Sequence, residues 1–586
     1  MRTKYCGNIG LIDLNKSIIL SGWVNKIRNF GQFIFIDLRD YTGTIQIIFE
    51  LNNSEIFQKA LKLKNESCIQ VTGIVKKRNI KNINSKMNTG KIEILAKKIN
   101  IFNISEPLPI DYSNNNSDDI RLKYRYLDLR QSILFKNLKI RNEVTYLIRN
   151  FMTKKKFLDI ETPLLTKSTP EGARDYLVPS RNHIGKFYAL PQSPQLFKQL
   201  LMISGIDRYY QIVKCFRDED LRSDRQPEFT QIDIEASFLN AKKIRNIVEQ
   251  LIKKIWLKIL NIHLKKFPVI TYNEAIKRYG SDKPDLRNPM EIIDISDIIN
   301  KIKFFDFFKI NTLKNKTIAL LCFSQGFKLS RKKINEYLSS INKFGINKSF
   351  YIKILKDDNN QNNIISSIKN ILDKKTLNKI LTKSNAKIGD VLFIVAGEEN
   401  IVHKSLGKLR IKLGNDFLIF KKNIWAPLWI INFPMFKKNK LGVFSSIHHP
   451  FTAFKKNHEN KFSRNLDYAM SDSYDLVING YEIGGGSVRI HNLEIQKKVF
   501  NIIGINEKDQ KEKFGFLLEA LKYGAPPHAG IALGLDRIIM LLRNTDNIRD
   551  VIAFPKTTSA SCPLTNAPSI IENKNLNELN ININKK

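Results

Sequence analysis

Between Arg217 and Asp233 the chain gathers three arginines (Arg217, Arg222, Arg225), an aromatic ring (Phe229) and several carboxylates. Side chains alternate across a strand. A hairpin here would set Arg217 and Glu219 on one face. On the returning strand Phe229, Gln231 and Asp233 would share a face, with Thr230, Ile232 and Ile234 on the other. Ser223, Asp224, Arg225 and Pro227 suit the turn between them. Such a surface offers a guanidinium to a phosphate, a ring to a base and a carboxylate to an exocyclic amine, which is the chemistry of a nucleotide seat. A charged surface hairpin with weak ion pairs has the same composition, and this stretch alone leaves both readings open.

Far along the chain, Gly530-Ile-Ala-Leu-Gly534-Leu535-Asp536-Arg537 leads into an apolar run. It reads as a glycine-containing strand entering a helix, with glycines that admit a close approach to the backbone. Arg537, near the helix start, could reach a phosphate; a packed strand–helix unit with an ion-paired Arg is the plainer alternative. A third segment, Phe135 to Phe157, has apolar residues at helical spacing (Leu138, Val144, Leu147, Ile148, Phe151) and a basic last turn, Lys154 to Lys156. Phe157-Leu-Asp-Ile-Glu161-Thr-Pro163 follows it.

Together the first two segments resemble motifs 2 and 3 of the class II aminoacyl-tRNA synthetases, and the third resembles motif 1, the dimerisation element of that class. The resemblance narrows with Thr169-Pro-Glu171-Gly-Ala-Arg174-Asp175, Gln192-Ser193-Pro-Gln195-Leu-Phe-Lys198, Ser446-Ile-His448-His449-Pro450 and Asn479-Gly-Tyr-Glu482-Ile-Gly-Gly-Gly-Ser-Val-Arg489. These are similar to the bacterial aspartate–tRNA ligases, in order from Met1 to about residue 568.

The resemblance implies ATP-dependent formation of aspartyl-adenylate with release of pyrophosphate, then transfer to the terminal ribose of a tRNA. It implies Arg217 on the α-phosphate and the attacking carboxylate and Arg537 on the γ-phosphate, with Phe229 beneath adenine and Arg537 stacked above. Asp218, Glu219, Gln226, Glu482, Gly534, Leu535 and Asp536 complete the implied ATP set. For aspartate it implies Glu171, Ser193 and Gln195 at the α-ammonium end. Lys198 and Arg489 face the side-chain carboxylate, Asp233 steadies Lys198, and His448 and His449 sit in a closing loop. Asp475 and Glu482 are the implied Mg²⁺ ligands, hard oxygens of the kind that ion prefers. Anticodon contacts are implied at Arg28, Phe35, Gln46, Arg78, Asn82 and Glu93, with Arg222 and Arg225 near the acceptor end. Ile27 stands where the family often has a basic residue. Two rivals use the same residues: an asparagine- or lysine-specific ligase of the subclass, and a non-catalytic tRNA-binding paralogue. A neutral amide does not call for both Lys198 and Arg489, and a lysine would be repelled by them.

These residues need scaffolds. At 586 residues, 42% of them hydrophobic, the chain can form several domains with real cores. The formal net charge of +40 favours a polyanionic partner. Lys, Asn and Ile nevertheless recur everywhere, loops included, so charge by itself assigns no partner. Five scattered cysteines, at 6, 68, 215, 322 and 562, without a CxxC pair argue against a zinc module and a disulfide framework. Neither a signal-peptide core nor a membrane-length apolar run stands out, so a cytoplasmic protein is expected.

Strands expected at Ile18–Lys26, Gln32–Leu38, Thr44–Phe49, Cys68–Val75 and Lys91–Lys97 suggest an OB-type barrel over 1–107. Ile34, Ile36 and Leu38 would face in, and Phe33 and Phe35 out, where they could stack on bases. Residues 108–135 read as a hinge. The expected catalytic domain runs over 136–289 and 416–555, interrupted by an inserted α+β domain over 290–415 without a catalytic constellation, its His403 a solvated surface residue. Residues 556–586 form a C-terminal extension. The expected fold class is α+β multidomain: a barrel, an antiparallel-sheet catalytic domain of class II synthetase type, and the insertion.

Overall fold

The computed structural model describes residues 1–584 except 113–115, 170–171, 300–314, 325, 347–348, 357–361, 368–371, 422, 440 and 457–465. It divides into two compact units, Met1–Phe135 and Lys136–Lys586. In the first, β1 (Ser17–Asn29), β2 (Phe33–Arg39), β3 (Thr44–Glu50), β4 (Cys68–Lys77) and β5 (Ile92–Asn103) close into a barrel in the order β1-β2-β3-β5-β4. Period-two alternation fills it: Ile34, Ile36 and Leu38 of β2 and Ile45, Ile47 and Phe49 of β3 are buried together. The expected five strands are all present, and Phe33 is exposed while Phe35 is half-buried on the outer face.

In the second unit the helix Ser132–Lys154 leads to β6 (Leu158–Asp159), a hairpin of β7 (Tyr176–Pro179) and β8 (Phe187–Leu190), then β9 (Arg208–Phe216), β10 (Glu228–Ser237) and β11 (Val269–Thr271). Next come β12 (Ile292–Asp294), β13 (Lys316–Phe323), β14 (Ser349–Lys356), β15 (Asn362–Ser366) and β16 (Val391–Glu398), which form a separate five-stranded sheet. Its two faces have distinct cores, with Leu321 and Phe393 on one side and Leu320 and Ile394 on the other. Helix Glu399–Asp416 covers the first core. His403 of that helix is buried, its Nδ1 2.8 Å from the Glu399 carbonyl oxygen. This corrects the expectation of a surface histidine: His403 begins a helix stripe, continued by Gly407 and Arg410, that packs against the segment from Gly280 to Met290.

β17 (Pro427–Ile431), the short hairpin of β18 (Phe436–Lys438) and β19 (Phe444–Ser446), then β20 (Ser473–Ile478), β21 (Tyr481–Val488) and β22 (His528–Gly534) complete the strands. The large sheet has eight strands in the order β11-β17-β20-β21-β22-β10-β9-β6. Only its edge pairs, β11–β17 and β6–β9, are parallel. One face is apolar: Ile232, Ile234, Leu476, Ile483, Ile531 and Leu533 pack against Val144 and Ile148 of the first helix and Val248, Leu251 and Ile255 of helix Ala241–Leu260. The other face is free to carry polar groups.

One departure from the sequence reading concerns β9 and β10. Pairing stops at Phe216↔Glu228, so Arg217 to Pro227 is a loop and not two strand ends. Pro227 has no N–H with which to extend the ladder; its carbonyl accepts from the Arg217 N–H at 2.9 Å, closing the loop. Arg217 and Glu219 are therefore positioned by the loop rather than by strand alternation. The returning strand behaves as expected, with Ile232 and Ile234 in the core and Phe229, Gln231 and Asp233 on the opposite face.

Gly530 shows how closely β22 and β10 approach. A Cβ there would lie 2.0 Å from Glu235 Oε2 and 2.3 Å from the Ile234 carbonyl oxygen. Gly530→Ala is expected to destabilise the second unit by about 1–3 kcal/mol through overpacking, read as a lowered unfolding midpoint. An unshifted midpoint would mean that Glu235 is not held against that backbone.

Candidate functional site

A cleft of about 970 Å³ opens on the polar face of the large sheet. At one end lies the Phe229 ring, with the Arg217 guanidinium 5.2 Å from its centroid. Arg217 Nε is buried and has no hydrogen-bond partner among the described residues. Asp218, Glu219 and Gln226 line the same end, and Arg225 pairs with Glu219 at 3.1 Å. Arg537, in the first turn of helix Leu535–Arg543, donates to the Glu482 carbonyl oxygen at 2.7 Å and to Asp224 at 3.1 Å. Arg537 and Phe229 line the same cleft. Gly534 and Asp536 line the cleft, but the Leu535 side chain turns into the apolar core, since a helix start cannot point consecutive residues the same way. Both ends of the Gln226 amide are engaged by Lys556, its Oε1 accepting from that residue's N–H at 2.7 Å and its Nε2 donating to the carbonyl oxygen at 3.1 Å.

The other end of the cleft is a buried charge cluster. Lys198 Nζ lies 2.7 Å from Asp233 Oδ1 and 3.1 Å from Glu235 Oε2. Arg489 Nε donates to Glu235 Oε1 at 3.0 Å and Nη2 to Oε2 at 3.2 Å. Its Nη1 donates to Ser487 Oγ at 2.8 Å and also meets His449 Nε2. Side-chain exposure of these four charged groups does not exceed 2%. Burial pushes Glu235 up, but Arg489 and Lys198 outweigh it and hold the carboxyl below the usual range. Burial lifts Asp233 above its ordinary value against the pull of Lys198. Gln195 Nε2 is buried nearby without a hydrogen-bond partner among the described residues, and Ser193 also lines the cleft. Glu171 lies outside the described residues.

Asp475 and Glu482 meet beside the backbone of Gly485, where a Cβ would lie 3.0 Å from Asp475 Oδ1 and 3.8 Å from Glu482 Oε1. A bulge brings them to one face: Asp475 pairs with Gly485 but Val477 pairs with Glu482, so Ile483 is the extra residue. Without it, Glu482 would point to the core side. Asp475 Oδ1 is buried with no hydrogen-bond partner among the described residues, and burial followed by Glu482 lifts that carboxyl well above its ordinary value. Lys283 Nζ sits 2.6 Å from Glu482 Oε2, and its charge holds Glu482 below the usual range against burial. His448 Nδ1 is 3.9 Å from Asp475 Oδ1. Burial pushes His448 down to about 4, and burial with Arg489 drives His449 well below its ordinary value. Among the described residues no group of three or more His, Cys, Asp or Glu forms a metal cage. Two carboxylates, one with an unpartnered buried oxygen, suit a cation that completes its shell with phosphate and water.

On the barrel, Arg28 Nη2 donates to Asp37 at 2.7 Å and to Gln46 at 3.1 Å, and Gln46 Nε2 donates to Glu93 at 3.0 Å. Phe30 and Phe33 flank Phe35, with centroids 5.7 and 6.3 Å away. Asn82 is exposed. Arg78 differs from expectation: it is 4% exposed, with Nε donating to the Ile92 carbonyl oxygen at 2.9 Å and lying 3.7 Å from Glu93. It backs the polar row from inside.

Sequence reasoning missed Glu235, the shared acid of the cluster, although it continues the alternation Gln231, Asp233 by one more step. It also missed Lys283 and Asp224, whose partners Glu482 and Arg537 lie far away in sequence and announce nothing locally.

Residues 117–558 match the family model for class II tRNA synthetases (D, K and N), and residues 18–102 match an OB-fold nucleic acid binding domain. The chain is 71% identical over 586 residues to the aspartate–tRNA ligase of Buchnera aphidicola from Schizaphis graminum, covering all of both chains. It is 56% identical over 578 residues to that of Buchnera aphidicola from Baizongia pistaciae, covering 97% of this chain and 100% of that one. An asparaginyl-tRNA synthetase from Pyrococcus horikoshii, solved with asparaginyl-adenylate, shares the fold with a TM-score of 0.59 at 19% identity, covering 94% of this chain and 98% of that one.

In the substrate-free protein His448 is expected to titrate near 4 instead of its ordinary 6.5. The unfolded chain takes that proton first, so its contribution to stability is complete above about 6.5 and is lost as pH falls through about 4. Histidine-selective NMR, with the resonance assigned by its absence in His448→Gln, reads the midpoint directly. A midpoint near 6.5 would show that the ring is solvated.

Proposed function

The chain belongs to the class II tRNA synthetases of the D, K and N group, and within that family we propose that it is specific for L-aspartate. It activates the amino acid with ATP, releasing pyrophosphate, and transfers it to the terminal ribose of aspartate tRNA. Full-length identity of 71% to a relative of that name supports the assignment. The observation that carries it is the cluster of Lys198, Arg489 and Glu235 at one end of a cleft whose other end holds Phe229, Arg217 and Arg537.

Attack of the aspartate α-carboxylate on the α-phosphorus brings two anions together, so the barrier is largely electrostatic and needs no enzyme nucleophile. Arg217 meets the α-phosphate and the incoming carboxylate; its unpartnered buried Nε fits a ligand that supplies an acceptor. Arg537 holds the γ-phosphate, and forks of this kind grip phosphate better than an ammonium would. Adenine lies on Phe229, with Asp218, Glu219 and the backbone of the Gln226 segment around it. Gly534 and Asp536 form the floor. Lys198 and Arg489 receive the side-chain carboxylate. Glu235 and Asp233 hold both cations in place, and Gln195, Ser193 and Glu171 take the α-ammonium. His448 and His449, neutral near pH 7, close this end without adding charge. Asp475 and Glu482 are the residues that would hold Mg²⁺, which would neutralise phosphate charge.

The barrel reads the anticodon through Phe35, Arg28, Gln46, Asn82 and Glu93, since single-stranded loops are recognised by stacking and base-edge hydrogen bonds. Arg78 acts from behind Glu93, and Arg222 and Arg225 approach the acceptor end. Residues 1–107 serve as this anticodon module and 108–135 as its hinge. Residues 136–289 and 416–555 form the catalytic domain, with 290–415 inserted and 556–586 as an extension. The protein works as a homodimer in the cytoplasm. Ile133 and Tyr146 of the first helix and Leu158, Leu164 and Leu165 after it are exposed apolar residues that a second copy would cover. No described helix is long and apolar enough to cross a membrane.

ATP–pyrophosphate exchange with each of the twenty amino acids tests the specificity; exchange supported by asparagine or lysine in place of aspartate would overturn it. Arg489→Leu strands one substrate carboxylate beside Lys198 alone, at about 2–5 kcal/mol, so kcat/KM for aspartate should fall at least tens-fold. Asparagine should lose less, and the aspartate-to-asparagine ratio should shrink; a ratio is insensitive to a misfolded fraction. An unchanged ratio would mean that Arg489 does not read the side chain.

Phe35→Ala should raise KM for tRNA by the loss of one base stack, roughly 1–3 kcal/mol, while exchange stays near wild type. Exchange collapsing together with charging would show that Phe35 serves the barrel core.

A further inference from the structure

Where β22 ends and the helix Leu535–Arg543 begins, the ladder with β10 loses its partner strand. Pairing runs from Ser237↔His528 to Gln231↔Gly534 and stops. The next N–H of β10, that of Thr230, is met instead by a side chain: Asp536 Oδ2 accepts it at 2.8 Å. Asp536 is 2% exposed, so its charge needs a partner. Arg141, from the middle of helix Ser132–Lys154, supplies it. Its Nη1 donates to Asp536 Oδ1 at 2.5 Å and its Nη2 to Thr230 Oγ1 at 2.9 Å.

Each group gripped by Arg141 is one residue from a cleft group. Thr230 adjoins Phe229, and Asp536 adjoins Arg537. Arg141 itself does not line the cleft. From this geometry we infer that Arg141 is a positioning residue for nucleotide binding, fixing the spacing between the adenine platform and the γ-phosphate clamp through a guanidinium fork. The inference rests on the ATP reading of the cleft. A fork is required because two acceptors on different elements are held at once. An ammonium can neutralise Asp536 but cannot span to Thr230 with the same fixed angle. Among the described residues the hydrogen bonds of Arg141 go to Asp536, Thr230 and Val551, and none to Lys198, Glu235 or Arg489 at the aspartate end of the cleft.

Pyrophosphate exchange at varied ATP and varied aspartate tests it on the full-length protein. For Arg141→Met, KM for ATP should rise about tenfold or more, as for removing one partner of a buried charged pair, while KM for aspartate stays within about twofold. Partial misfolding would lower the maximal rate and leave both KM values alone. Arg141→Lys keeps the charge and folds where the Met variant does not; its KM for ATP should fall between those of wild type and Arg141→Met, again with KM for aspartate unmoved. If Arg141→Met is insoluble, Arg141→Lys alone decides, by a raised or an unraised KM for ATP. Equal rises in both constants, or an unchanged KM for ATP in the soluble variants, would overturn the inference. Wild-type protein that gives no exchange would overturn the reading of the cleft itself, a result distinct from either.

Discussion

The carboxylate of Glu235 is the point on which the catalytic sheet turns. Lys198 and Arg489 are both almost fully buried, and a cation without compensation there would cost several kcal/mol. Glu235 accepts from both, one oxygen meeting Lys198 and the pair of oxygens meeting the Arg489 fork. Asp233 pairs with Lys198 as well, so two acids face two cations, and Arg489 Nη1, which meets only the neutral Ser487 and His449, is the donor left to turn toward a further anion. The cost falls on the neighbouring strand. Glu235 occupies the space where residue 530 would carry a Cβ, so β22 must present glycine there, and its carbonyl oxygen accepts the Tyr474 hydroxyl at 2.9 Å.

The same sheet separates charge from grease by alternation. Along β10 the residues Phe229, Gln231, Asp233 and Glu235 take the cleft side, and Ile232, Ile234 and Ala236 the helix side. β21 breaks the rule once, at Ile483, and the break brings Glu482 to the face of Asp475. Before nucleotide enters, Lys283 offsets Glu482, while Asp475 is left with an unpartnered oxygen and a raised proton affinity. The site is therefore poised by position and by charge together. The histidines beside it remain neutral because burial and the Arg489 charge both oppose a second cation.

Much of this was legible in the sequence wherever a local rule applied. Period-two runs located the barrel strands and the two faces of β10, and helical spacing located Val144, Ile148 and Phe151 in the core. The names and implied roles of the cleft residues came from resemblance, since no local rule links Lys198 to Arg489. What failed was long-range or conformational. Arg217 was set on a strand that ends one residue earlier, because Pro227 stops the ladder from the opposite side. His403 was left in solvent since nothing nearby announces the Gly280 segment against which that part of its helix packs. Glu235 escaped notice because its partner Arg489 is 254 positions away, and Arg78 was turned outward although its partner is the carbonyl oxygen of Ile92 on the next strand.

The formal charge of +40 has to be weighed against this architecture. The cationic groups that define the cleft are few, Lys198 and Arg489 buried and Arg217, Arg225 and Arg537 half-buried, and their effect is short-ranged and specific. The surplus lies elsewhere, on exposed lysines spread over both units, where single ion pairs contribute little to stability and salt screens them. Such a surface attracts a polyanion without choosing among sequences. The barrel carries a different design, where Arg28, Gln46 and Glu93 already hydrogen-bond one another and three phenylalanine rings cluster beside them. In the anticodon reading proposed above, a row of polar groups so constrained would accept only bases whose edges match it, and the neighbouring rings would supply stacking that any base can use. Affinity and selection are thus divided between a diffuse positive field and a few fixed groups, as the buried and exposed charges of this chain are themselves divided.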